Sequence, residues 1–186
     1  WYSPKAFVME NVKGLLSMKK GSVINTIIEE FTNAGAGYHV KFQVLCASDY
    51  GVPQMRERVI IIGVRKDLDI EPSFPSPIKG SVNVDEAISD LPLINSSEGA
   101  EVQDYTMEPT NDYQRLMRRD SKKVYNHAAM HHTSRLIERF KAIQPGQNLL
   151  DVWETHGAVR RGAPEEKSQI KFSQNNQRVY GNKPAP

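Results

Sequence analysis

One cysteine, Cys46, stands in 186 residues. That excludes an internal disulfide and any zinc or iron–sulfur site built on several cysteines, and a reducing compartment is the simple reading. An excess of either charge is also missing. Lys and Arg total 24 and Asp and Glu 22, for a net charge of +2. The chain therefore has no polybasic or strongly acidic tail, although a local basic groove for nucleic acid fits inside a near-neutral total. Long apolar runs are absent. The longest, Val59 to Val64, falls far short of the roughly 20 residues a membrane helix needs. Gly 12 and Pro 11 are ordinary, so collagen-like and low-complexity classes are out. No repeat is evident. The first residue is Trp1 and not Met, which reads as part of something longer.

What is present divides near residue 65. Ala6-Phe7-Val8-Met9 is a short apolar run, a buried strand that ends at Glu10-Asn11-Val12. Gly14 and the polar residues after it predict a loop. Val23, Ile24, Ile27, Ile28 and Phe31 fall on one helical face, with Glu29 and Glu30 opposite. Gly35 and Gly37 stop that helix. Val40, Phe42, Val44 and Cys46 alternate with polar residues as in a half-buried strand. Val59 to Ile62 is β-branched throughout, which predicts a strand covered on both faces. The order strand, helix, strand, strand predicts an α/β layered domain. After the linker signal of Pro72, Pro75 and Pro77, short helices are expected at Asp85–Asp90, Tyr113–Arg119 and His131–Ile143.

Two clusters carry chemistry. Glu10 sits where a strand ends, and in open α/β sheets such ends face the ligand crevice. A carboxylate there suits acid–base work, with a proton affinity that rises on desolvation. In Gln54-Met55-Arg56-Glu57-Arg58 the two arginines are spaced i, i+2, which places both on one strand face. Arginine forks bind carboxylate, phosphate and base edges. The plain alternative is a salt bridge, to Glu10 or near Glu57.

Together, Phe7-Val8-Met9-Glu10-Asn11-Val12-Lys13-Gly14-Leu15 and the stretch Leu45 to Arg58 resemble the DNA cytosine-5 methyltransferases. The first block is similar to that family's Glu-Asn-Val motif and the second to its Gln-x-Arg-x-Arg motif. The clear resemblance covers residues 4 to about 66. Weaker echoes follow at Val84–Pro92, Tyr125-Asn126-His127 and Gln177–Tyr180. The resemblance implies a Rossmann-like, S-adenosylmethionine-dependent catalytic domain over residues 1–78. Residues 79–186 would be a linker and the N-terminal part of an irregular target-recognition lobe.

It further implies methyl transfer to carbon 5 of a cytosine flipped from double-stranded DNA. A thiolate first adds to carbon 6. Glu10 matches the glutamate that holds N3 and the exocyclic amine, and Arg58 the arginine at the O2 side. Asn11 is expected to shape the pocket wall around the catalytic loop, and Gln54 and Arg56 to organise the pocket and nearby phosphates. A bacterial restriction–modification enzyme, cytoplasmic and nucleoid-associated, is the implied setting. The alternatives are a non-catalytic DNA-binding or regulatory relative, and one chain of a split enzyme. The last predicts an apolar strand edge at Ala6–Glu10.

Other signals are discounted. The family's nucleophile sits in a Pro-Cys pair upstream of the Glu-Asn-Val motif. Cys46 lies downstream, after Leu45, on an apolar face. No Pro-Cys pair and no Phe-x-Gly-x-Gly cofactor loop occurs in the sequence. The chain alone is therefore expected to be inactive, with no nucleophile of its own. His127 and His131 are spaced i, i+4, but Ala128 stands where a zinc protease needs Glu, so no metal is expected. Gly181-Asn182 reads as a polar turn. Arg118-Arg119, Lys122-Lys123 and Arg160-Arg161 are solvated faces or phosphate contacts.

Overall fold

The computed structural model describes residues 2–156 and 178–186; Trp1, Arg160, Arg161 and Gln177 lie outside the described residues. The chain forms two compact units, Trp1–Ser81 and Val82–Pro186.

In the first unit, β1 (Ala6–Val12) leads through short 3-10 turns to α1 (Ser22–Asn33), then β2 (Tyr38–Cys46), then β3 (Glu57–Arg65). The sheet order is β1-β3-β2, and β3 runs antiparallel to both neighbours. β1 and β2 are therefore parallel to each other, joined by the α1 crossover with β3 between them. A parallel pair needs such a crossover, which is the βαβ unit of α/β proteins. The α/β class read from the sequence holds.

Register fixes the two faces, because side chains alternate along a strand. Phe7, Met9 and Asn11 share a face with Val59, Ile61 and Gly63 of β3 and with Val40, Phe42, Val44 and Cys46 of β2. Most of that face packs on α1. Val59 and Ile61 are fully buried there, with Ile24 and Leu15 beside them. Burying each such side chain contributes roughly 1.5–3 kcal/mol. Gly63 pairs with Phe7, and a Cβ at this glycine would overlap the Phe7 ring. The ring lies 4.5 Å from that of Phe31 and 5.2 Å from that of Tyr38. The Tyr38 hydroxyl donates to the Pro4 carbonyl at 2.9 Å.

The structure differs from the sequence reading in three places. β1 is not buried: its residues alternate between exposed and half-buried from Ala6 to Val12. The expected loop after Gly14 contains a 3-10 turn, Lys13–Leu16, that buries Leu15 in the core. β3 is central, yet among the described residues only one of its faces is closed. Ile60 and Ile62 are half-buried on the other, beside exposed Val8 and Val12.

In the second unit, α2 (Val84–Ile88) starts with a capping box: Asn83 accepts from the Glu86 amide, and the Glu86 side chain accepts from the Asn83 amide. α3 (Asp112–Arg118) is capped by Asn111. A two-stranded antiparallel sheet joins β4 (Gly99–Gln103) and β5 (Val124–Ala128). α4 (Ser134–Ala142) and the short α5 (Trp153–His156) follow. Gln114, 1% exposed, is held by Thr110 and Ser89. No described helix is long and apolar enough to cross a membrane.

Candidate functional site

Glu10 and Arg58 come together on the sheet face away from α1. They sit on adjacent strands, offset by two residues, since Glu10 stands opposite Ile60 and Arg58 opposite Val12. Diagonal neighbours of this kind are within reach of long side chains. Arg58 Nε lies 2.8 Å from Glu10 Oε1; the arginine side chain is 23% exposed and the carboxylate 52%. Arg58 Nη1 also donates to the Glu57 carbonyl at 2.7 Å. The guanidinium is thereby fixed at two points. Among the described residues Glu10 has no second cation and accepts no further hydrogen bond. Its lone pairs are open to a ligand that offers N–H groups.

The same alternation separates Asn11 from this pair. Its side chain lies on the α1 face, where Oδ1 accepts the Val12 amide at 2.8 Å. Its side chain therefore stands on the sheet face opposite Glu10. Gln54 is half-buried in the loop between β2 and β3. That loop is closed by main-chain bonds, from the Ala47 amide to the Arg56 carbonyl at 3.0 Å and from the Gln54 amide to the Val52 carbonyl at 2.8 Å. Gly51 makes its turn possible, with φ of 81°. Arg56 is exposed, and among the described residues its side chain has no partner. It is a free cation beside exposed Met55. Opposite charges at the strand exit and entry, Lys13 and Glu57, form an ion pair of 2.8 Å. The motif reading passed over it. Extending the Glu10–Arg58 register to the next residues would have found it.

The discounted residues have structural partners. Cys46 is half-buried on the α1 face with its thiol 3.2 Å from the Ser48 hydroxyl. His127 Nε2 lies 2.8 Å from the Pro92 carbonyl, and His131 Nδ1 3.0 Å from the Ser97 hydroxyl. Among the described residues no group of His, Cys, Asp and Glu could hold a metal ion. Arg118 is turned inward. It meets Asp90, 3% exposed, at 3.3 Å and lies 3.7 Å over the Tyr105 ring. Arg119 and Lys123 pair with Asp120 and Asp104. Gly181 receives the Asp85 amide, so its turn closes on the start of α2.

A groove of about 560 Å³ opens beside the free edge of β1. Phe7, Met9, Phe31 and Tyr38 line it, with no charged side chain among its walls. It offers nothing to the ammonium and carboxylate of S-adenosylmethionine. This groove does not fit that cofactor.

The sheet thus carries a carboxylate–arginine pair on the face away from α1. The fold has a solved counterpart. A prophage-encoded E. coli protein, described as a putative DNA modification methyltransferase, superposes with a TM-score of 0.62 over 78% of this chain and 47% of its own, at 22% identity. The profile of the C-5 cytosine-specific DNA methylase family matches residues 1–184, and the chain belongs to that family. The type II methyltransferase M.DdeI of Desulfomicrobium norvegicum is 48% identical over the whole chain, which covers 46% of that relative. M.BsuRI of Bacillus subtilis is 58% identical over 41% of this chain and 17% of its own length. The chain thus spans less than half of these relatives.

Proposed function

We propose that Glu10 and Arg58 hold a flipped cytosine while a methyl group is transferred to its carbon 5, as part of a bacterial type II DNA methyltransferase. The observation that carries the reading is the Glu10–Arg58 pair itself, 2.8 Å apart on the open sheet face. Cytosine presents N3, an exocyclic amine and O2 along one edge. A carboxylate and a guanidinium side by side match that edge in order. Glu10 takes N3 and the amine, and Arg58 takes O2.

Carbon 5 is a poor nucleophile until a thiolate adds at carbon 6. The addition drives electron density toward N3 and O2. A proton held at N3 by Glu10 and a fixed cation at O2 by Arg58 stabilise that charge without reorganising. Extruding the base from the duplex costs roughly a few kcal/mol. Arg56 meets a phosphate near the flipped nucleotide, and Gln54 braces the loop that presents it. S-adenosylmethionine would supply the methyl group from outside these residues; loss of the carbon-5 proton and release of the thiolate from carbon 6 then restore the ring.

The first unit then serves as part of the catalytic domain, and the second begins the target-recognition lobe. The thiolate and the cofactor loop come from polypeptide beyond these residues, because the sequence contains neither a Pro-Cys pair nor Phe-x-Gly-x-Gly. Exposed Val8 and Val12 and the apolar groove along β1 support its seating against this strand. The protein works in the cytoplasm on nucleoid DNA.

The test is transfer of labelled methyl groups to duplex DNA. The 186 residues alone should transfer none. Joined to a segment that carries both missing elements, they should methylate cytosine. Glu10→Gln and Arg58→Ala should each then lower turnover by at least ~10²-fold. Near-normal turnover in either variant would remove that residue from the mechanism. DNA binding without transfer in the joined protein would favour a non-catalytic relative.

A further inference from the structure

We propose that Lys13 and Glu57 are positioning residues for Arg58, and that their ion pair sets the peptide carbonyl that holds the Arg58 guanidinium beside Glu10. The proposal rests on the reading of Glu10 and Arg58 as the cytosine-holding pair. Its geometry is independent of that reading.

Lys13 directly follows β1, and Glu57 opens β3. The last registered pair between these strands is Val12 with Arg58. One further step sets Lys13 opposite Glu57. The Lys13 ammonium donates to both carboxylate oxygens, at 3.0 and 2.8 Å. Beyond this point the two chains part. One enters the 3-10 turn Lys13–Leu16, the other the loop with exposed Met55 and Arg56. The pair therefore closes the end of the ribbon at the residue whose carbonyl accepts from Arg58 Nη1 at 2.7 Å.

Alternation along β3 puts the Glu57 side chain on the face opposite Arg58. The charges of the clamp thus stand apart from the Glu10–Arg58 pair, while its backbone carries the contact. A long side chain with several rotatable bonds keeps one geometry only if its anchor is fixed. Glu10 fixes the Nε side, and the Glu57 carbonyl fixes Nη1. Glu57 is also registered with Cys46 of β2, so the ion pair governs the β1 side of this peptide; if that side loosens, the second anchor tilts away and the guanidinium swings on one contact.

Lys13 and Glu57 side chains are 58% and 51% exposed. Exposed pairs of this kind shift an equilibrium by up to about fivefold, so the expected effect is bounded. The experiment reads the Arg58 Nε–H resonance by NMR in the 186-residue chain without DNA. Lys13→Gln and Glu57→Gln should each move that signal toward the free-arginine position and speed its solvent exchange by about two- to fivefold. The swap, Lys13→Glu with Glu57→Lys, should restore it. The Arg65 Nε–H signal, at the far end of β3, is the control and should stay in place. An Arg58 signal unmoved in both single variants overturns the proposal. So does a swap that fails to restore it, or Arg58 and Arg65 signals that move together. Because the readout needs no cytosine, loss of the Glu10 mechanism and loss of the clamp are separable results.

Discussion

β3 carries an arginine at each end, and the two do different work with the same parts. Arg58 and Arg65 are about equally covered, 23% and 22% exposed, and each has a carboxylate at 2.8 or 2.7 Å. Arg65 takes its carboxylate from Asp67, two residues on, through two hydrogen bonds, and donates a third to the Ser3 carbonyl at 2.8 Å. The fork is spent within the fold. The Asp67 hydrogen bonds hold that guanidinium above its ordinary range, and the Arg65 contact holds the Asp67 carboxyl below its own. Arg58 takes its carboxylate from a neighbouring strand, at an offset that leaves the Glu10 lone pairs open. A closed pair fastens a strand end; an open one can hold a ligand. Burial does not separate the two cases, but the geometry of the partner does.

The largest effect that would sharpen this contrast is the loss of turnover in the Glu10 and Arg58 variants, with little change in stability. Next in size is Gly63→Ala. It places a methyl group into the Phe7 ring and should cost about 1–3 kcal/mol by urea unfolding, as overpacked cores do. An unchanged midpoint would show that Phe7 can leave its place between Gly63 and Phe31. Asp67→Asn should be smaller and dependent on pH. A carboxyl whose folded proton affinity is lowered contributes stability above its unfolded-state value and loses it as pH falls through the folded one. The variant should therefore be less stable than the parent at neutral pH and equal to it well below the carboxylate range. A constant gap at both would mean that the Arg65 hook acts through packing alone. Smallest of all is Cys46→Ser. It keeps a polar atom beside Ser48 and should leave turnover in the joined protein at the same order of magnitude. Abolished transfer with the fold intact would return Cys46 to the mechanism.

How far these features were legible in the sequence depended on how local their causes are. The α1 face repeats every three to four residues within one segment, so periodicity alone reveals it. Glu10 and Arg58 were legible because their flanking motifs are specific, although they lie on different strands. Leu15 was not legible. It is buried by a turn too short for any period to show. β4 and β5 are five residues each, of mixed polarity, and their pairing joins positions over twenty residues apart. Nothing within either segment signals the other. The direction of β3 was likewise hidden, since alternation identifies a strand but not which way it runs. Asn11 shows what a motif leaves out at a single residue: it follows Glu10 in the sequence, and the pleat sends its side chain to the other face.

That pleat also makes β1 a ruler. Inserting or deleting one residue between Met9 and Glu10, with the hydrogen-bond ladder kept, would either carry Phe7 and Met9 out of the core or turn the carboxylate toward α1. Adding two would restore the faces but move Glu10 along the strand, away from Arg58. The spacing from the Phe7 ring to Glu10 is thus under the same demand as the residues themselves. Along this strand, a gene tolerates exchange of letters more readily than any change in their number.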